Sequence, residues 1–276
     1  MTKLSPEEEQ IKEAIRHTFN TVADAYGSGA CRFFHISGKN MAKLHELNGN
    51  EHILDLASGT GASVIPLAKR LDKGKVTGID FSIGMLAQAR EYANQEGVSN
   101  IDLHVQDMTA LPFPDNHFDH ANCAFGLFFI EDLNKLLSHI TAKVKPGGRV
   151  MISGFCGDSF MPQSDLALNK LRDYGLEVPE QPYGWKRMAE PQQLQELYES
   201  ANLKDVNITR KSIGYYTTPE GWWEVIWNAG FRGLVAQLGD RLEEFKQEHL
   251  KEVETLVDDK GLWLEIDVNY TQGVKA

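Results

Sequence analysis

The alternation of short apolar segments with helical ones through residues 52–155 constrains this chain more than any other feature. Apolar runs at 52–57 (HILDLA), 75–80 (KVTGID), 101–106 (IDLHVQ), 118–124 (FDHANCA) and 149–155 (RVMISGF) are separated by helical stretches near 62–71, 83–96 and 131–143. Strand and helix in strict turn predict a doubly wound, mostly parallel α/β sheet. Further along, 190–201 reads as a helix, 203–216 as a strand and 262–275 as a last strand, which makes seven strands in all. About forty residues of helical pattern, 219–259, lie between the last two, and 156–189 is irregular, with Pro162, Pro179 and Pro182 among Phe160, Tyr183 and Trp185. We read the 276 residues as one domain in which 156–189 and 219–259 are covering insertions.

Charge narrows the partners. Twenty-eight basic against thirty-nine acidic residues leave a formal charge of −11, which repels phosphate backbones and anionic bilayers, so nucleic acid is not expected. The N-terminus alternates charges at helical spacing and carries no run long enough for a signal peptide or membrane span, so no stable membrane insertion and a cytoplasmic location are expected. Cys31, Cys123 and Cys156 are scattered without metal-ligand spacing; reduced, buried thiols are expected, with neither metal nor disulfide.

The stretch HILDLASGTGASVIPLAKRL, residues 52–71, runs from strand through small residues into helix, with Asp55 inside the strand. Gly59 and Gly61 let the backbone turn tightly and approach a ligand, and the helix that follows presents its N-terminal amides at the sheet's carboxyl edge. A dinucleotide fingerprint needs a third glycine where Val64 stands, and no Walker lysine is present, which disfavours NAD and ATP. Asp80, at the end of the second strand, can accept hydrogen bonds from both hydroxyls of a ribose. Its structural alternative is a helix cap, a task Ser82 can perform. Asp107, at the end of the third strand, can accept from an exocyclic amine while the Met108 amide reaches a ring nitrogen. Three strand ends so spaced describe a nucleoside site without a phosphate binder.

In ILDLASGTG, GIDFSIGMLAQAR, QDMTALPFPDNHFD and VKPGGRVMIS, the chain resembles the successive motifs of class I S-adenosylmethionine-dependent methyltransferases, across roughly residues 20–155. The form it most resembles is the ubiquinone/menaquinone C-methyltransferase type. The resemblance implies a Rossmann-like fold with N-terminal helices over the cofactor, and S-adenosyl-L-methionine as methyl donor with S-adenosyl-L-homocysteine as product. It implies ribose binding by Asp80, adenine recognition by Asp107 and Met108, and adenine packing by Phe81 and Met85. The loop from Asp55 through Ala57, Ser58, Gly59, Thr60 and Gly61 would wrap the methionine portion, with Ala124 beside it. Ala57 departs from the family's glycine, and Ala124 from the serine of the quinone enzymes.

The C-terminal half is similar to methyltransferases acting on polyketides and other natural products, through an insertion with a tryptophan pair and a GFRGL segment. Trp223, Trp227, Phe231, Leu234 and Leu238 make one helical stripe, with Trp222, Ile226 and Ala229 beside it. Either both sides are core, or one lines a flat apolar pocket, with Phe125, Trp222 and Trp223 as substrate contacts. An activated sulfonium methyl needs mainly an acceptor held in line. If a proton must be accepted or relayed, Tyr26 and His35 are the candidates: Tyr26 resembles a family tyrosine that closes the site, whereas His35 has no motif behind it. The expected function is methyl transfer to a small-molecule acceptor, apolar or aromatic. The alternative is a protein that binds the cofactor without transfer, a cyclase or binding module.

Overall fold

A computed structural model describes residues 6–27, 29–179 and 183–276, so Pro182 of the covering region and the first five residues lie outside the described part. Two helices, α1 (Pro6–Val22) and α2 (Phe33–Leu44), precede the sheet. Then come β1 (His52–Leu56), α3 (Val64–Ala68), β2 (Lys75–Asp80), α4 (Ile83–Gln95), β3 (Ile101–Val105), β4 (Phe118–Ala124), α5 (Leu133–Lys143) and β5 (Val144–Cys156). The second half holds α6 (Gln163–Asp173), α7 (Pro191–Ser200), β6 (Leu203–Ser212), β7 (Tyr215–Thr217), α8 (Pro219–Asn228), α9 (Arg232–Val235), α10 (Leu242–Glu254), β8 (Leu262–Leu264) and β9 (Asp267–Lys275).

The main sheet has seven strands in the order β3-β2-β1-β4-β5-β9-β6. β1 to β5 pair in parallel, whereas β9 runs antiparallel between β5 and β6. Strand order reverses between β1 and β4, which opens the crevice where such sheets bind ligands, at the carboxyl ends of the strands. One apolar core joins α2, α6, α8 and α10 to β5 and β9; a second lies under α5 and α7. All three cysteines are free and buried. No described helix is long and apolar enough to cross a membrane.

Two expectations are corrected. The runs 203–216 and 262–275 are each split, because the chain leaves the main sheet at Ile213–Gly214 and at Glu265–Ile266 to build a small β7–β8 ladder. Gly214 permits that departure: a Cβ there would sit 2.5 Å from the Leu264 carbonyl oxygen. The insertion 219–259 is not one striped helix either. α8 stops at Asn228, Ala229 is extended before Gly230, and Gly239 (φ 55°) interrupts the short helical turns that lead into α10.

Candidate nucleoside and methyl-transfer site

At the end of β1, Ser58 leaves the strand by donating its amide to Ile79 O (3.0 Å), and Gly61 N closes a turn on Ser58 O (2.9 Å). Gly61 takes φ 95°, and a Cβ there would stand 2.7 Å from Ile65 Cδ1, so only glycine lets the loop lie on α3. Ala57 and Phe125, ending β1 and β4, both adopt left-handed backbone (φ 52° and 55°), a conformation non-glycine residues hold only at a cost. The two bends face each other across Gly126, whose absent Cβ would lie 2.5 Å from that of Ala57.

Asp80 sits where β2 ends. Its Oδ2 accepts from Gly59 N and its Oδ1 from Ser82 N, both at 2.9 Å, which tie the first two strand ends together. Burial pushes this carboxyl up to about 6, against the pull of those amides. Capping of α4 falls to Ser82, whose Oγ accepts from Met85 N (3.1 Å), leaving Asp80 lone pairs for a ligand. Asp55 is different. Its carboxylate accepts from Ser63 Oγ (2.9 Å) and from the Asn122 amide, and Asn122 in turn meets His45 Nε2 at 3.2 Å. Fully buried, it braces the loop from below, and burial raises it to about 6.

Asp107 lies half-buried at the end of β3, with Oδ1 accepting from Thr109 N (2.8 Å) and Oδ2 paired with Lys12 of α1. Burial alone would raise its carboxyl; Lys12 and Thr109 hold it below the usual range instead. α1 and the turn after it are fastened across this end of the crevice at further points: Asn20 Oδ1 accepts from Gly84 N (3.0 Å) and Ser82 Oγ (2.7 Å), and Gln88 donates to Asp24 (2.8 Å). Met85 packs beneath it on Val22 and Ala23, while Phe81 and Met108 are half-buried at the same edge. Lys12 and Asn20 escaped the sequence reading, since nothing local marks a contact 95 or 62 residues away.

Beside half-buried Ala124, rings form a continuous wall. Tyr26 stacks on Phe34 (centroids 4.4 Å), Phe34 meets Phe125 edge-on (5.5 Å), and Phe125 stacks on Phe155 (4.4 Å). Phe155 then contacts Phe160 (5.0 Å) and Trp185 (6.3 Å) of the covering region. Burial, then Cys31 and Asp80, raise the Tyr26 phenol well above its ordinary value, so it keeps its proton at neutral pH. His35 lies elsewhere, near Thr60 on the β1 loop. Of the expected substrate contacts, Phe125 is in the wall, whereas Trp222 and Trp223 are buried in the core behind it. Trp222 donates Nε1–H to His249 Nε2 (2.9 Å) and backs Phe160; Trp223 packs on Trp227 and Phe245. Arg187, unmarked in the sequence, clamps the loop after β4 by donating to the carbonyls of Phe128, Ile130 and Glu131 at 2.8–3.0 Å.

Residues 53–148 match the family described as a methyltransferase domain. The chain is 32% identical over 197 residues to a demethylmenaquinone methyltransferase of Lactiplantibacillus plantarum, covering 65% of this chain and 81% of that protein. It is 33% identical to a ubiquinone/menaquinone biosynthesis C-methyltransferase, UbiE, of Bdellovibrio bacteriovorus over 52% of this chain and 62% of the relative. It is 28% identical to the aklanonic acid methyltransferase DauC of a Streptomyces, over 52% and 66% of the two chains. Among solved structures, the YcgJ protein of Bacillus subtilis superposes with a TM-score of 0.60 at 19% identity, over 87% of this chain and 98% of that one, a likeness of fold.

Proposed function

Because the chain belongs to the S-adenosylmethionine-dependent methyltransferases, we propose that it transfers the methyl group of that cofactor to a small, flat, apolar or aromatic acceptor, quinone-like or natural-product in type. The ring wall from Tyr26 to Trp185, running past the ends of β4 and β5, supports this reading most. A planar acceptor exchanges those contacts for its own, worth about 0.5–1.5 kcal/mol per aromatic pair. Two of the relatives are named for quinone methylation, which favours a quinone-like acceptor and transfer over binding alone.

The residues present suit the cofactor. Asp80 has a carboxylate anchored by two amides, the loop at Gly61 lies close on Ile65 of α3, and Thr60 keeps a buried hydroxyl without a partner among the described residues. When bound, S-adenosylmethionine supplies a methyl on positively charged sulfur, already activated for displacement. In this reading Asp80 holds the ribose, Asp107 and the Met108 amide the adenine, Phe81 and Met85 its faces, and the loop from Ala57 to Gly61 with Ala124 the methionine portion, Asp55 bracing that loop. Phe125 and its neighbours hold the acceptor and exclude water; such positioning is worth about 7–11 kcal/mol of the barrier. Tyr26, keeping its proton, orients the acceptor, and the proton that a hydroquinone, phenol or acidic carbon gives up as it takes the methyl passes to solvent. The test is incubation with methyl-labelled S-adenosylmethionine and two probes, a demethylated naphthohydroquinone and a polycyclic phenol. Label on either probe with equimolar S-adenosylhomocysteine is expected; label left on bound cofactor with both would sink this acceptor class.

A further inference from the structure

The ring wall turns back on itself beyond Phe155. Phe155 also meets Phe128 (centroids 6.3 Å), Phe128 tilts on Phe129 (4.8 Å), Phe129 meets Phe19 of α1 edge-on (5.4 Å), and Phe19 meets Tyr26 edge-on (5.9 Å), where the wall began. Burial falls in one direction round this circuit. Phe34, Phe125 and Phe155 are buried, Tyr26, Phe19 and Phe128 are half-buried, and Phe129 is 38% exposed, so the circuit has a deep end at the ends of β4 and β5 and an outer end at the Phe19–Phe129 contact. The two sides of that contact are held differently. Phe129 belongs to the loop after β4, which Arg187 clamps through the carbonyls of Phe128, Ile130 and Glu131, and Gly184 packs on the same loop so closely that a Cβ would fall 2.9 Å from the Phe128 oxygen. Phe19 belongs to α1, whose ties at Lys12 and Asn20 lead instead to Asp107 and to the start of α4. At the outer end the two elements meet ring against ring, a contact that a planar ligand can replace with its own.

We propose that Phe129 is a specificity-determining residue whose ring, opposite Phe19, bounds the outer edge of the acceptor and so sets how many fused rings are admitted, with Arg187 as the positioning residue that fixes it. The inference rests on the acceptor reading above. Every member of the circuit is a phenylalanine or a tyrosine, so what it selects is width and flatness rather than charge. Calorimetry on protein saturated with S-adenosylhomocysteine, where no transfer occurs, gives separate Kd values for the demethylated naphthohydroquinone and the polycyclic phenol. Phe129→Ala should shift their ratio toward the polycyclic phenol by roughly fivefold or more, and Phe129→Trp should shift it the other way, with S-adenosylhomocysteine affinity within about twofold in both. Where wild type binds one probe alone, gain of the other in Phe129→Ala reads the same shift. Arg187→Met should raise KM for the naphthohydroquinone severalfold with kcat little changed, and Arg187→Lys, which keeps a donor to part of the clamp, should recover some of that loss. Thermal unfolding reports whether each variant is folded. A ratio unmoved in both Phe129 variants overturns the assignment, as does a loss of S-adenosylhomocysteine affinity that accompanies every change. If the wild-type complex with S-adenosylhomocysteine forms but takes up neither probe, the acceptor reading itself is overturned, and this inference with it.

Discussion

The two aspartates that end up near 6 do different work, and substitution separates them. Asp55 is enclosed by Ser63 and Asn122, so Asp55→Ala strands two buried polar groups, each costing about 1–3 kcal/mol. Urea denaturation should show that loss; unchanged stability together with weakened cofactor binding would instead put Asp55 against the ligand. Asp80 was readable from sequence because its place is local: a strand end, a capping serine two residues on, and a glycine loop about twenty residues earlier. Asp55 was readable as part of a motif, but its partners were not, since Asn122 reaches it through strand pairing 67 residues away. Ala57 and Phe125 likewise look ordinary in sequence, and only the crossing of two strand ends around Gly126 forces their left-handed backbones.

Among the elements, β1 to β4 and helices α4, α5 and α7 lie close to where the hydrophobic rhythm puts them, because each buries a face against a neighbour of the same sheet. The insertion was legible as helical but not as three pieces: Gly230 and Gly239 break a stripe that apolar spacing alone would continue. Trp222 faces inward there, so Trp222→Ala should cost about 3–5 kcal/mol of stability, read from the denaturation midpoint. An equally stable variant that has lost methyl transfer would instead make Trp222 a substrate contact. Its partner His249 adds a pH signature. Burial, with Lys170 nearby, lowers this ring to about 4, whereas in the unfolded chain it titrates near 6.5. The unfolded state therefore binds the extra proton between those values, so the His249 contribution is complete above about 6.5 and is lost as pH falls toward 4. His249→Gln should shrink the fall in Tm between pH 7.5 and 5; an unchanged fall would contradict the buried neutral ring.

For the molecule as a whole, the sheet supplies the crevice, α1 crosses its Asp107 end, and the insertion backs the ring wall. The doubly wound sheet was legible from rhythm alone, whereas the closure by α1 was not, because its contacts with Asp107, Ser82 and Gly84 join segments far apart in sequence. Lys12 pairs with the carboxylate proposed for adenine, so in that reading the ion pair competes with the ligand. Lys12→Ala should speed S-adenosylhomocysteine association in stopped-flow, and an unchanged rate would mean that α1 does not gate the crevice. The central claim, that three strand ends form a nucleoside site for S-adenosylmethionine, is tested most directly by calorimetric titration of S-adenosylhomocysteine into wild type and Asp80→Ala. The account predicts one molecule per chain at micromolar Kd, about −8 kcal/mol, with NAD and ATP far weaker. It predicts at least a tenfold loss in Asp80→Ala, whose fold persists. Tighter binding of NAD, or normal binding by the variant, would contradict it.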